Sequence, residues 1–355
     1  MLFGRSKGLI GLDIGSSSIK VVELKAAKKA GKNWKLANLG IINLPPEAIV
    51  DGSIMDSQMV VDATNQLFIE NNIKLTDVAI AVSGHSVIIK KISVNQMSEE
   101  ELVETMQVEA ESFIPFDVED VNLDYQILGD GDRPDGNMDV LLVAAKKEKV
   151  SEYMSVVQQA GKNPAVVDVD SFCIQNAFTE NYETIPDQVV ALINIGASVA
   201  NINILKGGQS VFWRDITTGG NLYTDAIQKE LNVGYDVAEV LKRGEPAGDI
   251  PFEKVIPILK NMSQEVANEI QKTFDFFKAT TNLDRVTKIY LSGGGSKILN
   301  FDSELSERFD APVEFLDPFR NIIINEKQFN AQTIQDLKSS CAVVIGLAMR
   351  KPGDK

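Results

Sequence analysis

Cysteine and histidine are scarce in this sequence, which has two cysteines and one histidine among its 355 residues. Cys173 and Cys341 lie in apolar stretches far apart in the chain, so we expect buried free thiols rather than a disulfide or a metal pair. That usage fits a reducing compartment. His85 follows Gly84 at a predicted strand end and has no cysteine beside it, which favours a structural role over metal binding.

Positive charge is also in deficit, because 35 Lys and Arg stand against 50 Asp and Glu and leave a formal charge of −15. This balance weighs against nucleic acid as a partner and against direct adhesion to an anionic membrane. No segment approaches the roughly 20 apolar residues of a membrane span, and residues 1–7 lack the apolar stretch of a secretion signal. We therefore expect a cytoplasmic protein that reaches a membrane only through a partner.

The two familiar glycine signatures of nucleotide binding are missing, since neither G-x-x-x-x-G-K-[ST] nor G-x-G-x-x-G occurs. This excludes a P-loop enzyme and an evident dehydrogenase. A different pattern is present twice, at residues 12–24 and 193–205: a buried strand, a tight turn of glycine and small residues, and a second strand. Such turns let backbone N–H groups approach an anion closely. The repeat predicts a nucleotide clamped between two related lobes.

Asp13 ends the first of these strands, immediately before Gly15. A carboxylate at that point can hold Mg²⁺ through water, because magnesium keeps much of its hydration shell. Lys20, just after the turn, can counter phosphate charge. The alternative interpretation is that Asp13 only caps the turn.

A third glycine-rich element, Leu-Ser-Gly-Gly-Gly-Ser-Lys at residues 291–297, joins an apolar strand to a helix that we predict to begin at Lys297. Three successive glycines allow a flat base to lie against bare backbone, and a helix N-terminus adds the positive end of a dipole. A plain flexible loop is the alternative.

Strands alternate with helices along the chain, which is typical of α/β architecture. A distinct segment begins near Gly84. Within it, Ser98 and Glu101 form a capping-box signature for a helix over 99–113, and the glycine- and aspartate-rich loop 129–136 is expected to be exposed and mobile. In the second half, a helix over 257–280 has a core-facing apolar stripe, and an apolar helix over 340–349 is expected to be buried.

Taken in order, the hairpin, connecting helix, second hairpin and glycine loop resemble the actin/Hsp-type/sugar-kinase superfamily, which binds ATP with Mg²⁺ between two lobes. Within it the chain most resembles the PilM family, the cytosolic actin-like components of type IV pilus assembly machines, related in fold to the cell-division protein FtsA. The likeness rests on the opening GLIGLDIGS at residues 8–16 and on EAESFIPF at 109–116 followed by VNLDY at 121–125. The second block resembles the signature of the extra subdomain of PilM and FtsA-like proteins.

This resemblance implies an α/β, actin-like ATPase fold of two related lobes with an FtsA-type extra subdomain. The predicted division is a first-lobe core (1A) at 1–83 and 162–186, an extra partner-binding subdomain (1C) at 84–161, a second-lobe core (2A) at 187–218 and 281–355, and a small subdomain (2B) at 219–280.

The resemblance also implies ATP or ADP with Mg²⁺ as ligands, with Asp13 holding the metal through water. Asp13 and Asp170 are the candidate catalytic residues, Asp170 falling where the superfamily connects its lobes and positions water. The nucleotide-binding candidates are Gly15, Ser16, Ser17 and Lys20 in the first phosphate loop, Asn194, Gly196, Ala197 and Ser198 in the second, Gly219 and Gly220 near the phosphates, Glu239 and Lys242 on a ribose- and base-contacting helix, and Gly293, Gly294, Gly295 and Lys297 in the adenosine loop.

One position departs from the superfamily pattern. Where hydrolytic members usually carry a second aspartate, this chain has Asn194. An amide brings no negative charge to a metal and is a poor base. We therefore expect nucleotide binding, with hydrolysis slow or absent.

The function implied is that of a cytosolic adaptor. In the PilM family the extra subdomain takes up the N-terminal cytosolic tail of the membrane protein PilN, so PilN and other pilus assembly proteins are the expected partners, and a homo-oligomer is compatible with this. We place the docking groove within 84–161. Two alternatives stay open. One is a sugar or small-acid kinase, for which Asp170 is a candidate acid but no substrate-binding cluster is evident. The other is an FtsA-type filament protein, whose membrane-binding helix has no counterpart in the short tail after Met349.

Overall fold

The computed structural model describes residues 8–29, 31–128, 136–247 and 249–354. Of the predicted loop at 129–136, only Gly136 belongs to the described residues. Strands and helices alternate along most of the chain, which confirms the predicted α/β class. The strands within these ranges are β1 (Ile10–Ile14), β2 (Ser18–Lys29), β3 (Lys32–Asn43), β4 (Ile49–Val50), β5 (Ser53–Ile54), β6 (Asp77–Val82), β7 (Val87–Asn95), β8 (Val121–Leu128), β9 (Asn137–Lys146), β10 (Asn163–Val169), β11 (Val189–Ile195), β12 (Ala200–Lys206), β13 (Gln209–Ile216), β14 (Lys288–Ser292), β15 (Val313–Phe315) and β16 (Ile322–Ile323).

Helices connect these strands. Among the described residues, none of them is both long and apolar enough to cross a membrane. They are α1 (Ser57–Glu70), α2 (Glu99–Glu111), α3 (Lys147–Gln159), α4 (Asp170–Asn181), α5 (Gly220–Leu231), α6 (Tyr235–Lys242), α7 (Val255–Thr280), α8 (Phe301–Phe309), α9 (Ala331–Leu337) and α10 (Ala342–Ala348).

The two main sheets share one strand pattern. The first has the order β10-β6-β1-β2-β3-β16 and the second has the order β13-β12-β11-β14-β15. Each contains an antiparallel hairpin (β1–β2 or β11–β12), extended on one side by an antiparallel strand (β3 or β13) and on the other by a parallel strand (β6 or β14). Two related lobes are therefore present, as the repeated motif predicts. We call the parts of the chain built on these sheets the first and second lobes.

The two hairpin turns are closed by the same hydrogen bond. Gly15 N–H donates to the carbonyl of Ser18 at 3.1 Å, and Gly196 N–H donates to the carbonyl of Val199 at 2.9 Å. A Cβ atom at Gly196 would lie 2.7 Å from the Val199 carbonyl oxygen, so a larger residue cannot close the turn without movement. The sequence repeat thus reflects a repeated backbone geometry.

Helices α4 and α10 lie between the two main sheets, where α4 follows the edge strand β10 of the first sheet and leads into β11 of the second. Their backbones touch at Gly346, because a Cβ atom there would overlap with the carbonyl group of Cys173. The predicted apolar helix at 340–349 is present as a 3₁₀ turn followed by α10, whose seven residues are all buried. Cys173 and Cys341 are both buried and free, as expected.

The segment after Gly84 forms a body with its own core. Strands β7-β9-β8 make an antiparallel sheet, and Leu102 and Met106 of α2 pack against it. The predicted capping box is confirmed: Glu101 N–H donates to Ser98 Oγ at 3.2 Å, and Ser98 N–H donates to a Glu101 carboxylate oxygen at 2.8 Å. Helix α2 ends at Glu111, slightly earlier than predicted.

Two elements pack differently from the predicted division into subdomains. Helix α3 lies within the range 84–161, yet Tyr153 and Val157 belong to the apolar core of the first main sheet. Strand β16 and helix α10 lie within 281–355, yet β16 pairs in parallel with β3 and α10 packs on β1 and β2. The four boundaries remain a proposal, which these contacts refine by assigning α3 and the chain from β16 onward to the first lobe.

In the second lobe, α5, α6 and α7 cover one face of the sheet. The predicted stripe of α7 is buried at Ile258, Val266, Ile270 and Phe274, among others. The predicted helix at Lys297 is wrong. Residues Gly294–Lys297 form one 3₁₀ turn, and α8 begins only at Phe301, because Asn300 adopts a left-handed conformation (φ 60°) that interrupts a helix.

Replacing Gly346 by alanine tests the helix crossing. We expect the free energy of unfolding to fall by about 3 kcal/mol, because the added methyl group meets backbone rather than a movable side chain. Gly8→Ala is the matched control, since a Cβ atom there comes no closer than 4.0 Å to a neighbour. Urea unfolding measures both, and equal stabilities would contradict this account of the crossing.

Candidate functional site

The turn of the first hairpin carries a close ion pair. Asp13 and Lys20 are register partners on β1 and β2, and Lys20 Nζ lies 3.0 Å from Asp13 Oδ2. Both side chains are mostly buried, at 16% and 12% exposed. Ser16 and Ser17 form the tip of the turn, and Ser17 is exposed. The predicted first phosphate loop is therefore an open tip backed by a neutralised charge pair.

The corresponding level of the second lobe carries a row of hydrogen-bonded polar side chains. Ser292, Asn194, Asn201 and Asp215 are register partners on the adjacent strands β14, β11, β12 and β13; we call them the polar row. Ser292 Oγ donates to Asn194 Oδ1 at 3.2 Å, Asn194 Nδ2 donates to Asn201 Oδ1 at 3.0 Å, and Asn201 Nδ2 donates to Asp215 Oδ1 at 2.9 Å. Asn194 thus takes the place that Asp13 has in the first lobe.

The polar row reaches the first lobe at its acidic end. Gly84 N–H donates to the second carboxylate oxygen of Asp215 at 2.7 Å. The neighbouring His85 hydrogen-bonds with the hydroxyl of Thr217, which fits the expected structural role of this histidine. Sequence reasoning missed Asn201 and Asp215. The available signal was an asparagine within a strand that is otherwise apolar and buried.

Asp170, the first residue of α4, lies close enough to Asp13 and Asp215 to be influenced by both charges. Burial raises the pKa of Asp170 to about 7, the Asp13 carboxylate adds to this rise, and a hydrogen bond with Ser83 opposes it. Burial also raises the pKa of Asp215, against the hydrogen bonds it accepts from Asn201 and Gly84. Carboxyl groups from both lobes therefore converge between the hairpins.

The paired glycines hold the start of α5 against the second hairpin turn. Gly220 N–H donates to the Gly196 carbonyl at 2.9 Å, and Asn221 N–H donates to the Ala197 carbonyl at 2.9 Å. A Cβ atom at Gly219 would lie 2.5 Å from the Ala197 carbonyl oxygen. These donors of the helix N-terminus are satisfied by protein carbonyls, so their first role is to fix the turn. Ser198 completes the turn and is buried.

Helix α6 contributes a buried charged cluster beside the same helix start. Lys242 Nζ donates to Thr224 Oγ1 at 2.8 Å and to the Gly220 carbonyl at 3.3 Å, and it pairs with the carboxylate of Glu239. Burial lowers the pKa of Lys242, against the attraction of Glu239. A Cβ atom at Gly220 would lie 3.5 Å from Lys242 Nζ. The structure thus brings together both predicted residues of α6 and the paired glycines.

The three glycines of the third loop have different surroundings. A Cβ atom at Gly293 would overlap with the Ile195 backbone, and one at Gly295 would lie 2.5 Å from the Ile195 side chain, so both serve packing on β11. Gly294 is exposed, with no neighbour closer than 3.9 Å to a Cβ atom there. Lys297 ends the same 3₁₀ turn, but its side chain is engaged elsewhere, because Nζ donates to the Asp336 carbonyl of α9.

Asp13, Lys20 and Asp215 all lie close enough to Asp170 for their charges to act on it, and in the second lobe the hairpin turn, the paired glycines and the third loop adjoin one another. Among the residues that the structure describes, no group of three or more His, Cys, Asp or Glu could hold a metal ion by itself. The donor set therefore does not fit a cation held by protein ligands alone, but it fits Mg²⁺ that keeps its waters and binds phosphate oxygens beside Asp13. Of these glycines Gly294 is exposed, whereas Gly220 is buried beside Lys242.

Proteins of solved structure share this architecture. The chain is 13% identical to the ethanolamine utilization protein EutJ from Carboxydothermus hydrogenoformans, with a TM-score of 0.58 over 97% of this chain and 90% of that one. It is 16% identical to MreB5 of Spiroplasma citri bound to ADP, with a TM-score of 0.51 over 96% and 94%. At these identities the likeness concerns the fold, which defines the chain as a protein with the actin-like ATPase fold.

A family model gives a more specific match. This model, described as type IV pilus assembly protein PilM, matches residues 11–352. The protein of a solved PilM–PilN type IV pilus biogenesis complex is 27% identical, with a TM-score of 0.86 over 98% of this chain and 99% of that chain. The chain belongs to the family of type IV pilus assembly protein PilM.

Replacing Asp170 by asparagine tests the converging carboxyl groups. A folded-state pKa of about 7, against about 4 in the unfolded chain, means that the native state binds the extra proton between these values. Stability from this group is therefore lost as the pH rises from about 4 to about 7.

The Asp170→Asn variant carries no such titration, so we expect its stability relative to the unmodified protein to rise between pH 5 and pH 8. Urea unfolding at both pH values measures the difference. Asp187→Asn is the control, because that side chain is 98% exposed. A difference for Asp170→Asn that does not change with pH would contradict the burial argument.

Proposed function

We propose that this protein binds an adenine nucleotide with Mg²⁺ in the cleft between its lobes. The observation that carries the proposal is the pair of identically closed hairpin turns at Gly15 and Gly196, joined at one cleft with the paired glycines and the exposed Gly294. Phosphates would lie against the backbone N–H groups of the turns, with Lys20 and Asp13 beside them. The binding of ADP by MreB5, a protein of the same fold, is consistent with this placement.

The base and ribose would lie on the side of α6 and the third loop. Gly294 is the open glycine of that loop, and Lys242 and Glu239 lie across from it beside Gly220. Lys297 is engaged with α9, so we remove it from the proposed contacts. Gly293 and Gly295 pack on Ile195, so we remove them as well. The other predicted nucleotide residues remain in the proposal.

Hydrolysis is proposed to be slow. Asn194 stands where the first lobe has Asp13, and its amide is held by Asn201 and Ser292. An amide cannot serve as a base for an attacking water. We propose that Asp170, with a pKa of about 7, is the carboxyl group that supports any weak residual hydrolysis. The nucleotide would then act mainly by fixing the two lobes in one arrangement.

The second part of the proposal concerns a protein partner. The chain is similar along its length to the protein of a solved PilM–PilN complex. We therefore propose that it binds the N-terminal cytosolic tail of a PilN-type membrane protein. It would thereby link the inner-membrane complex to the pilus assembly machinery from the cytoplasmic side.

The tail is proposed to dock on the segment 84–161. This body has its own core and two sheet edges, β7 and β8, that can pair with an added strand. Strand β7 also borders a cleft of about 990 Å³, opposite β13, with Trp213 and Phe276 in its wall. Val103 and Val108 of α2 are exposed apolar residues at 60% and 69%. The segment therefore has room and apolar surface for a peptide.

Gly294→Leu tests the nucleotide site. Gly294 is exposed and a Cβ atom there comes no closer than 3.9 Å to a neighbour, so we expect stability to change little. The affinity for ADP is expected to fall about tenfold, because the new side chain occupies the space proposed for the base. Calorimetric titration with ADP and Mg²⁺ measures this. Gly234→Ala is the control, since a Cβ atom there meets nothing within 4 Å; equal affinities of the two variants would refute the placement.

Hydrogen exchange tests the partner site. A synthetic PilN N-terminal tail peptide is expected to slow amide exchange within 84–161, because a docked peptide protects backbone that it covers or pairs with. A peptide of the same composition in scrambled order is the control. Protection confined to other parts of the chain, such as 219–280, would place the site elsewhere and reject this part of the proposal.

A further inference from the structure

Every hydrogen bond of the polar row is donated toward Asp215, and the charge of Asp215 sets this direction. An ionised carboxylate only accepts hydrogen bonds. Asn201 must therefore turn its amide nitrogen toward Asp215 and its oxygen toward Asn194, which is the arrangement of the 2.9 Å and 3.0 Å hydrogen bonds. Asn194 in turn directs its nitrogen to Asn201 and its oxygen to Ser292. Since an amide can be reversed with little change in shape, Asp215 decides which polar atom Asn194 presents.

The other oxygen of Asp215 is used on the opposite lobe. It accepts the Gly84 N–H at 2.7 Å, and Gly84 lies just before β7, the first strand of the extra body at 84–161. Gly84 has φ +83°, and a Cβ atom there would lie 3.8 Å from a methyl group of Val199 in the second hairpin turn. One carboxylate therefore touches both the polar row and the root of the extra body.

We propose that Asp215 is a positioning residue of the nucleotide cleft: it makes Asn194 present its carbonyl oxygen to the hydrated cation of a bound nucleotide, and it fastens the second lobe to Gly84. This rests on the nucleotide binding proposed above. A carbonyl oxygen has two lone pairs; Ser292 takes one, and the other can accept from a cation-bound water. An amide NH₂ group in that position would be repelled by the same cation.

The expected consequence is specific to the metal. Reversing the amides of the polar row leaves the two hairpin turns, Gly294 and α6 unchanged, so we expect nucleotide affinity without Mg²⁺ to be retained. What is lost is the gain in affinity that Mg²⁺ provides. A purely structural role for Asp215 would instead weaken nucleotide binding equally with and without Mg²⁺.

Calorimetric titration of ADP with and without Mg²⁺ separates these cases. In Asp215→Ala, the side chain no longer accepts from Asn201 or from Gly84, so nothing fixes the direction of the polar row and we expect the Mg²⁺-dependent gain in affinity to fall about tenfold. Asp284→Ala, at an exposed position, serves as the matched control with an unchanged gain. An equal gain in Asp215→Ala and in the control overturns the proposal.

A second variant guards against a folding defect and separates the two roles. Asn201→Leu interrupts the polar row but leaves the bond between Gly84 and Asp215. We expect it to lose the Mg²⁺-dependent gain while amide exchange at Gly84 stays slow, whereas Asp215→Ala loses the gain and also has faster exchange at Gly84. Full retention of the gain in Asn201→Leu overturns the positioning role.

The fastening role has a test without any ligand, which separates it from the proposed nucleotide binding. Hydrogen exchange of the ligand-free protein is expected to be faster at Gly84 in Asp215→Ala than in the unmodified protein or Asp284→Ala. Unchanged exchange overturns the fastening. An unmodified protein that binds no ADP, by contrast, overturns the nucleotide proposal together with the positioning role, and leaves the exchange result to decide on the fastening.

Discussion

The hydrogen bond from the Gly84 amide to Asp215 holds together two bodies that otherwise have separate cores. One end of it is the root of the segment 84–161, and the other end is a row of buried side chains that crosses four strands of the second lobe. A buried carboxylate needs such donors, because leaving either oxygen unpaired in a low-dielectric interior is costly. The burial that raises the pKa of Asp215 is thus the same condition that makes this contact between the lobes strong.

The two lobes show how one backbone pattern takes on different chemistry. The register that places Lys20 beside Asp13 in the first hairpin places Asn201 beside Asn194 in the second. The first lobe thus has a charge pair where the second has an amide pair, and the acidic group of the second lobe is Asp215, farther along the row. This difference agrees with the proposal of a protein that binds a nucleotide and hydrolyses it slowly, because position 194 offers an amide in place of a carboxylate.

Local patterns in the sequence predicted the hairpin turns, the capping box at Ser98 and Glu101, and the two buried cysteines, because neighbouring residues determine each of them. The polar row could not be predicted, since the register that brings Asp215 next to Asn201 depends on how a third strand pairs. The roles of Gly293 and Gly295 were hidden for a related reason: whether a glycine faces a ligand or Ile195 is a tertiary fact. The helix expected at Lys297 failed because the left-handed Asn300 was not recognised as an interruption.

The central claim is that the cleft between the hairpins holds an adenine nucleotide whose metal lies beside Asp13 and Asn194. A crystal structure of the protein grown with ADP and Mg²⁺ tests it most directly. The account predicts phosphates between the turns at Gly15 and Gly196, the base against Gly294, and a hydrated cation within hydrogen-bonding distance of the Asn194 carbonyl oxygen. A nucleotide bound elsewhere, or a cleft filled by inward-turned side chains, would contradict it.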